Sequence, residues 1–540
     1  MSASEDGEGN INDILREIGV PGRYQLYVFF WTFLTGVVSA WQIIAVPFTQ
    51  ADMPFRCTEG NISETLFESE FNNTCFYSNL SLECQQFEYD TSIFSKTVVS
   101  QFDLVCSRVS YTTISNIAYM VVATPFGVVS GWLSDRFGRR LLSAGGMVSM
   151  GLIGLVMAFS VNIEMYIALR CLMSIPTIAV YDSTNSLLSE ITSPVKRPHL
   201  LIGLVFSWSV SICLASPLAY WLTDWFYFQI AISLPSVVIG AILWWVYDES
   251  PHWLFGKKRY KEAQLVLDKI ARWNKLTDVN ITLSIDNHFI TDQETKRSDE
   301  KNLEAREGTK EETNACVTIC RHPKFIAIFL ICCFGWFVCN LGYYGLLFGI
   351  GDLVGDIYVN NLVAGGVEFV SYTMCFLILK GGRKKVYVPL LLIGGSSLVS
   401  SAIAQLYAPG VVWLIITLTM SGRLCISAAW QILYVWCIEL FPTHYRLTML
   451  QISFTFGHIG SAVGILMADL SKLVMSSTID ITIAVPIIYG SLMLIAGLTA
   501  IYAPETRNKP LPVTMEEAVR VMKWDQVMQA EPEVELTKLG

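Results

Sequence analysis

The sequence predicts an all-α membrane protein with twelve transmembrane helices arranged as two six-helix pseudo-repeats. Composition is the first observation: hydrophobic residues make up 53% of the 540 residues and charged residues 15%, which is too apolar for an ordinary soluble protein. The second is a series of twelve apolar runs, each long enough to cross a hydrocarbon core of roughly 30 Å. The third is that charged residues of the first half recur in the second half.

The twelve apolar runs fall into two groups of six. The first group lies near residues 25–46, 110–132, 141–161, 163–186, 200–222 and 228–248. The second group lies near residues 323–347, 357–380, 386–406, 411–436, 447–472 and 480–502. The chain is thereby divided into an N-terminal segment 1–24, a first half 25–248 with an outer loop 47–109, a linker with short helices 249–322, a second half 323–502 and a tail 503–540.

The repeat is clearest after the fourth and tenth runs, where a glutamate is followed seven residues later by an arginine. The pairs are Glu190 with Arg197 and Glu439 with Arg446, and the offset is 249 for both members (439 − 190 and 446 − 197). Side-by-side repeats of six helices are typical of secondary transporters, whose substrate site lies between the repeats. The repeat therefore favours transport by alternating access.

The distribution of Lys and Arg predicts the orientation in the membrane, because short loops rich in these residues stay on the cytoplasmic side. Such residues lie between runs 2 and 3, runs 4 and 5, and runs 8 and 9: Arg136, Arg139, Arg140, Lys196, Arg197, Lys380, Arg383, Lys384 and Lys385. We therefore expect both termini and the linker to be cytoplasmic. A net charge of −9 gives no indication of nucleic-acid binding.

The outer loop, residues 47–109, has the composition of a small ectodomain. It contains four cysteines, Cys57, Cys75, Cys84 and Cys106, and three glycosylation sequons, at Asn61, Asn72 and Asn79. Both features suit an oxidising compartment, so we expect two disulfides and glycans on this loop. Three disulfide pairings are possible, and the sequence does not choose among them.

Several short motifs resemble those of a known family. The loop between runs 2 and 3 reads GWLSDRFGRR over residues 131–140 and has a degenerate copy, GGRKK, over residues 381–385. This loop resembles the signature of the major facilitator superfamily. Four further motifs resemble those of one branch of that superfamily, the organic cation, organic anion and carnitine transporters. They are QFDLVC at 101–106, ESPHWL at 249–254, ELFPT at 439–443 and PET at 504–506. His252 departs from the branch, which usually has arginine there.

The repeated charges at the cytoplasmic ends are predicted to form a gating network. Its members are Asp135, Arg139, Glu190, Arg197 and Glu249 in the first half, and Arg383, Glu439, Arg446 and Glu505 in the second. We expect these charges to bridge the two halves in the outward-open state and to separate when the halves rock. The alternative is that they only cap helices and fix topology.

Charged and aromatic residues in the middle of the runs are the candidate substrate contacts. A charge at the bilayer centre costs on the order of 2.5–3.5 kcal/mol, so one that persists usually faces a cavity. Glu368 and Asp182 are the acids in this position, and cation-transporting relatives also carry Glu at the first of them. Aromatic faces attract ammonium groups. By resemblance, cavity-lining positions are held by Tyr181, Trp336, Tyr343 and Gln431, to which Trp430 is added as a further aromatic.

The residue most informative about substrate charge is His458, in the eleventh run. The resemblance places arginine here in organic-anion and carnitine carriers and aspartate in cation carriers, whereas this chain has neither. Histidine changes its charge near physiological pH. It therefore permits a cation when neutral and contacts a carboxylate when protonated.

Together these residues predict a polyspecific plasma-membrane transporter of small organic cations or amine-bearing zwitterions, driven by the membrane potential. The alternatives are an organic anion or carnitine-like carrier, with proton or exchange coupling, and a non-transporting receptor-like protein. No nucleophile and base arrangement or phosphate loop indicates an enzyme, and we expect no cofactor or metal. The predicted partners are the organic ion and the lipid bilayer; substrate identity and oligomeric state are not predicted.

Overall fold

The computed structural model describes residues 22–58, 86–193, 196–275, 323–378, 381–442, 446–469 and 481–507, with Leu15, Phe71, Asn73, Cys75, Cys84 and Pro512. Within this part of the chain twelve long helices make up the molecule, and we number them in order. In the first half they are α1 Arg23–Ile44, α2 Ser110–Phe137, α3 Arg139–Ala158, α4 Ile163–Glu190, α5 Arg197–Trp221 and α6 Trp225–Val246. In the second half they are α7 Pro323–Phe348, α8 Ile357–Ile378, α9 Lys384–Tyr407, α10 Val412–Leu440, α11 Arg446–Ala468 and α12 Ile481–Ala500.

Helix length and composition support the predicted membrane spans. Ten helices in the described residues are long and apolar enough to cross a membrane, and a pair bent by 48°, Cys106–Gly127 with Val129–Phe137, makes an eleventh. Pro125 lies just before this bend in α2 and cannot donate the usual helical hydrogen bond. With α8 the described long helices number twelve, which confirms the predicted fold class.

Glycines let the helices of each half approach closely. In the first half α3 meets α6, and a Cβ at Gly151 would lie 2.8 Å from the Ser233 carbonyl oxygen. In the second half α9 meets α12, and a Cβ at Gly395 would lie 2.7 Å from the Gly490 carbonyl oxygen. Small residues at such crossings allow backbone-to-backbone packing in the absence of a hydrophobic driving force. The same contact therefore occurs in both halves.

The two halves touch along α5 with α8 and along α2 with α11. We call the end of the bundle that carries the 47–109 loop the outer end and the opposite end the inner end. Between α5 and α8, Ser209 Oγ donates to the Gly365 carbonyl oxygen at 2.7 Å, and Asn361 Nδ2 donates to Ser216 Oγ at 2.9 Å. These bonds lie between the middle of the bundle and its outer end.

The outer end is closed by further contacts between the halves. Thr113 Oγ1, near the start of α2, donates to Asp469 Oδ2 just after α11 at 2.9 Å. The ring of Phe48, just after α1, stacks on that of Tyr358 in α8, with centroids 5.8 Å apart. The molecule is thus seen in a conformation whose halves meet at the outer end.

The outer loop is a disulfide-bonded unit on a two-stranded sheet. Strand β1, Phe55–Cys57, pairs antiparallel with β2, Phe87–Tyr89. Disulfides join Cys57 to Cys84 and Cys75 to Cys106, which selects one of the three pairings left open by the sequence and supports the predicted stapled loop. The sequons at Asn61, Asn72 and Asn79 lie outside the described residues.

Two short helices follow α6 at the inner end, Pro251–Gly256 and Tyr260–Trp273. The second is amphipathic and packs near the start of α1, where Lys269 Nζ forms a 2.6 Å ion pair with Asp248 Oδ2. The remainder of the predicted linker, residues 276–322, lies outside the described residues.

Candidate functional site

Tyr181 in α4 lies where the two halves face each other. Its side chain is 58% exposed, although it lies in the middle of the chain's fourth helix. Tyr344 of α7 and Tyr434 of α10, both of which belong to the other half, lie near it. Because this exposed ring of the first half has neighbours in the second half, Tyr181 lies at the seam, where the sequence predicts a cavity.

Asp182, the next residue, adds a carboxylate at this position. Its Oδ2 accepts a hydrogen bond from Ser130 Oγ of α2, and Tyr434 again lies nearby. Among the described residues no lysine or arginine forms an ion pair with Asp182. A neutral hydroxyl orients the carboxylate without cancelling its charge, so Asp182 can attract a cation.

Glu368 in α8 has a different environment. Glu368 and Arg423 of α10 are 0% and 1% exposed, and the Glu368 Oε1 to Arg423 Nε distance is 3.4 Å. The Arg423 guanidinium also lies over the ring of Tyr343, 5.5 Å from its centroid. The attraction between two buried opposite charges reduces the cost of their desolvation. In this conformation Glu368 therefore forms a neutral pair with Arg423 within the second half and is closed off from the seam.

The other predicted aromatics pack against one another. Trp336 of α7 is 1% exposed, and its ring meets those of Trp430 and Phe454 edge to face, with centroids 5.2 and 4.6 Å away. Trp430 and Tyr343 are half-buried, and Tyr343 Oη accepts a hydrogen bond from Trp208 Nε1 of α5. These rings pack together within the second half, and Tyr343 also contacts the first half.

Gln431 and His458 are half-buried on α10 and α11. The His458 ring makes no hydrogen bond to another described residue, and the same is true of the Gln431 amide. His458 is therefore not fixed by a carboxylate or hydroxyl partner in the described part of the chain, which leaves its ring nitrogens available for ligand contact.

The inner end of the first half holds a compact charge cluster. Arg139 Nη2 lies 3.0 Å from Glu190 Oε1 and 2.8 Å from Asp135 Oδ1. Glu249 Oε1 accepts a hydrogen bond from the Arg139 backbone N–H at 2.8 Å. Burial raises the pKa of the Glu249 carboxyl, against the lowering effect of its backbone hydrogen bonds. Arg197 donates to the carbonyl oxygen of Thr192.

The second half repeats this cluster. Arg383 Nη2 lies 2.6 Å from Glu439 Oε1, and Glu505 Oε1 accepts from the Arg383 backbone N–H at 2.8 Å. Arg446 donates to the carbonyl oxygen five residues earlier, as Arg197 does in the first half. Thr506 Oγ1 adds a hydrogen bond to Glu439 Oε2.

Glycines make both clusters possible. Gly138 and Gly382 precede the clustered arginines, with φ of +96° and +111°, a backbone conformation that favours glycine. A Cβ at these positions would lie 2.2 Å from Glu249 Oε2 and 2.8 Å from Glu505 Oε2. The absence of a side chain lets each glutamate reach the start of the following helix.

The contacts described above for the predicted gating residues join residues of the same half. They occur while the outer ends of the halves touch, whereas the predicted bridging belongs to the outward-open conformation. Bridging between the halves remains a prediction.

Sequence reasoning did not single out Tyr119 or Ser130. The Arg170 guanidinium lies over the Tyr119 ring, 5.3 Å from its centroid. Neither this contact nor the hydrogen bond between Ser130 and Asp182 has a sequence signal, because both depend on how α2 packs on α4.

The chain matches the family model described as Major Facilitator Superfamily over residues 70–465. It is 28% identical over 535 residues to the "Organic cation transporter protein" of Drosophila melanogaster, covering 94% of each chain. It is 27% identical over 497 residues to the mouse "Organic cation/carnitine transporter 2", covering 89% of this chain and 84% of the relative. Rat "Solute carrier family 22 member 7" is 28% identical over 458 residues, with coverage of 82% and 78%.

Solved structures support the same fold. The inward-open structure of the xylose transporter XylE from E. coli superposes with a TM-score of 0.63, at 16% identity, covering 92% of this chain and 99% of that one. The D-xylose-proton symporter gives a TM-score of 0.59 at 17% identity, with coverage of 90% and 100%. At this identity the likeness concerns the fold alone.

Proposed function

Since this multi-pass membrane protein belongs to the major facilitator superfamily, we propose that it is a polyspecific carrier of small organic cations or amine-bearing zwitterions. The observation that supports this most is Asp182. It is an acid beside an exposed aromatic ring at the seam, held by Ser130 and without an ion-pair partner in the described residues. The relatives named as organic cation and carnitine transporters agree with this substrate class.

The proposed mode of binding uses each group for one task. Asp182 attracts the ammonium group, and Tyr181 presents a ring face worth roughly 0.5–2 kcal/mol to a cation. Tyr343, Trp336 and Trp430 form the opposite wall. Gln431 supplies a hydrogen bond that orients the substrate, and Glu368 balances Arg423 in this conformation.

The proposed driving force is the membrane potential. A potential of 100 mV, negative inside, is worth about 2.3 kcal/mol per charge, so facilitated movement of a monovalent cation suffices for accumulation. We place the carrier in the plasma membrane with both termini cytoplasmic, as the Lys and Arg distribution predicts. Rocking of the halves opens the substrate site at the seam to one side of the membrane and then to the other. The charge clusters at the inner end serve as the gate.

The test is uptake of a radiolabelled monovalent organic cation and an organic anion into cells expressing the protein, with the potential set by external potassium. We expect cation uptake that falls on depolarisation. Asp182→Asn should remove most of it, and Asp182→Glu should retain more. Glu164→Gln, which alters an exposed acid in the first turn of the same helix, is the matched control. Anion uptake that is unaffected by Asp182→Asn would overturn the proposal.

A second candidate function, an organic anion or carnitine-like carrier, is favoured by His458 and Arg170. The His458 ring has no hydrogen-bond partner among the described residues, and Arg170 rests on an aromatic ring. If His458 contacts the charged group of the substrate, His458→Arg should favour anions and His458→Asp should favour cations. Equal selectivity in both variants would exclude this contact.

A further inference from the structure

A buried positive charge lies in the first half, between the outer end and the level of Asp182. Arg170 of α4 is 3% exposed and lies over the ring of Tyr119, 5.3 Å from its centroid. Among the described residues, none forms an ion pair or a hydrogen bond with its guanidinium. The Nε atom is fully buried without a partner, whereas the two Nη atoms are not sealed in this way. The Nη atoms therefore face space that a small ligand can enter.

The equivalent arginine of the second half has its counter-ion within the protein. Arg423 also lies over a tyrosine ring, that of Tyr343, and its Nε is 3.4 Å from Glu368 Oε1. Its Nη1 donates to the Leu346 carbonyl oxygen at 3.4 Å. Both halves thus support a buried arginine on a tyrosine ring, but in the described residues only the second half supplies a carboxylate for it.

The surroundings of Arg170 suit an anion. A buried guanidinium without a counter-ion is costly, and arginine does not relieve this cost by losing its proton. Tyr166 lies one turn earlier on the same face of α4, toward which the arginine side chain leans. Tyr166 is 1% exposed, and its Oη accepts a hydrogen bond from Gln50 Nε2 at 3.1 Å. Its hydroxyl proton is donated to no residue in the described part of the chain, so it is available to the same ligand.

We propose that Arg170 binds a small monovalent anion such as chloride, which serves as the counter-ion of the first half. The Nη atoms supply charge-assisted hydrogen bonds, and the low exposure of Arg170 limits the ligand to a small ion. The supporting ring of Tyr119 is buried against Ile465 and Tyr344 of the second half. Because these contacts form while the outer ends of the halves touch, binding of the anion favours the outside-closed conformation.

The anion site is separate from the proposed substrate site. Arg170 and Asp182 are twelve residues apart on α4 (182 − 170), which is about 18 Å along a helix. A small zwitterion does not span this distance. The anion therefore binds in the same way whether the carrier moves cations or zwitterions, and failure of this proposal would leave the proposed function intact.

The test follows the thermal unfolding midpoint of the full-length protein in detergent. Sodium gluconate is replaced stepwise by sodium chloride at constant ionic strength, with the much larger gluconate as the inert reference. We expect the midpoint to rise with chloride and to saturate, because a ligand that binds only the folded state stabilises it. Arg170→Gln should abolish this rise. Arg108→Gln is the matched control and should keep it, since Arg108 also lies over a tyrosine ring but is exposed.

Arg170→Lys provides the test if Arg170→Gln does not fold. Lysine keeps the charge but cannot present the paired Nη donors, so the chloride concentration for half the effect should increase about tenfold, as for the loss of one charge-assisted hydrogen bond. A midpoint that does not saturate with chloride, or a chloride response of Arg170→Gln or Arg170→Lys equal to that of the unaltered protein, would indicate a general salt effect and overturn the proposal.

Discussion

The two halves of this carrier agree at the inner end and differ in the middle of the membrane. At the inner end each half holds an arginine between two glutamates behind a glycine of positive φ. In the middle each half has a buried arginine, but Arg170 lies over the ring of Tyr119 whereas Arg423 is paired with Glu368. The charge cluster at the inner end is therefore a structural feature that both halves share, whereas the charge of the central region is set separately in each half.

The central difference should give the largest effect. Arg423→Gln leaves Glu368 as an uncompensated buried charge, and breaking such a pair costs about 3–5 kcal/mol. Arg170→Gln leaves no acid behind and should cost less, about 1–2 kcal/mol for the lost ring contact. The measurement is the thermal unfolding midpoint together with the yield of monodisperse protein in detergent.

The control for this comparison is the double variant Glu368→Gln with Arg423→Gln, which removes both charges. We expect it to be more stable than Arg423→Gln alone, because no buried charge remains unpaired. If Arg170→Gln proved as damaging as Arg423→Gln, the halves would not differ in the way described.

The glycines at the inner end should give the next largest effect. Gly138→Ala and Gly382→Ala each force an unfavourable φ, on the order of 1–3 kcal/mol. We expect the first to be worse, because its Cβ would lie 2.2 Å from a glutamate oxygen, compared with 2.8 Å in the second half. Gly131→Ala, whose Cβ would meet nothing within 4 Å, is the matched control for the unfolding midpoint.

The glutamates of the clusters should give smaller and similar effects. Glu190→Gln and Glu439→Gln each weaken an ion pair whose side chains are about one-fifth exposed or less, at a cost of about 1 kcal/mol. Glu439→Gln should be slightly worse, since Thr506 also donates to this carboxylate. Unfolding midpoints of both variants decide this, and a large gap between them would show that the clusters are not equivalent.

The smallest effect is expected at Asp135. Its side chain is 74% exposed, so the ion pair with Arg139 four residues later is worth less than about 0.5 kcal/mol. Asp135→Asn should leave the unfolding midpoint almost unchanged at moderate salt. A marked loss would mean that this acid contributes to the cluster beyond its local helix.

Much of the fold follows from local pattern. Apolar runs, loop charges and repeat offsets predicted twelve helices in two halves. Each membrane-spanning segment must form all its backbone hydrogen bonds within its own helix, so it can be recognised in the sequence independently of its neighbours. Boundaries shifted where the helix continues past the apolar run: α2 was predicted to end at 132 and extends to Phe137. Ser134 and Asp135 are polar but remain helical, since the chain has left the apolar layer there.

Site residues were predictable by type, and their pairing was not. The sequence nominated Glu368 and Asp182 for the same reason, a charge within an apolar run. Only packing separates them: α10 brings Arg423 to Glu368, while α2 brings only a serine hydroxyl to Asp182. Residues about 50 positions apart contribute to each contact, and no local pattern encodes such a distance.

By itself the sequence determined the fold class, the repeat and the position of the charged residues, and it predicted disulfides in the outer loop. Tertiary structure alone decided which cysteines pair, which central acid is neutralised, and that Thr113 and Asp469 join the halves at the outer end. The physical reason is that hydrophobicity and charge act on each segment separately, whereas electrostatic pairing and burial depend on distances between helices that only packing sets.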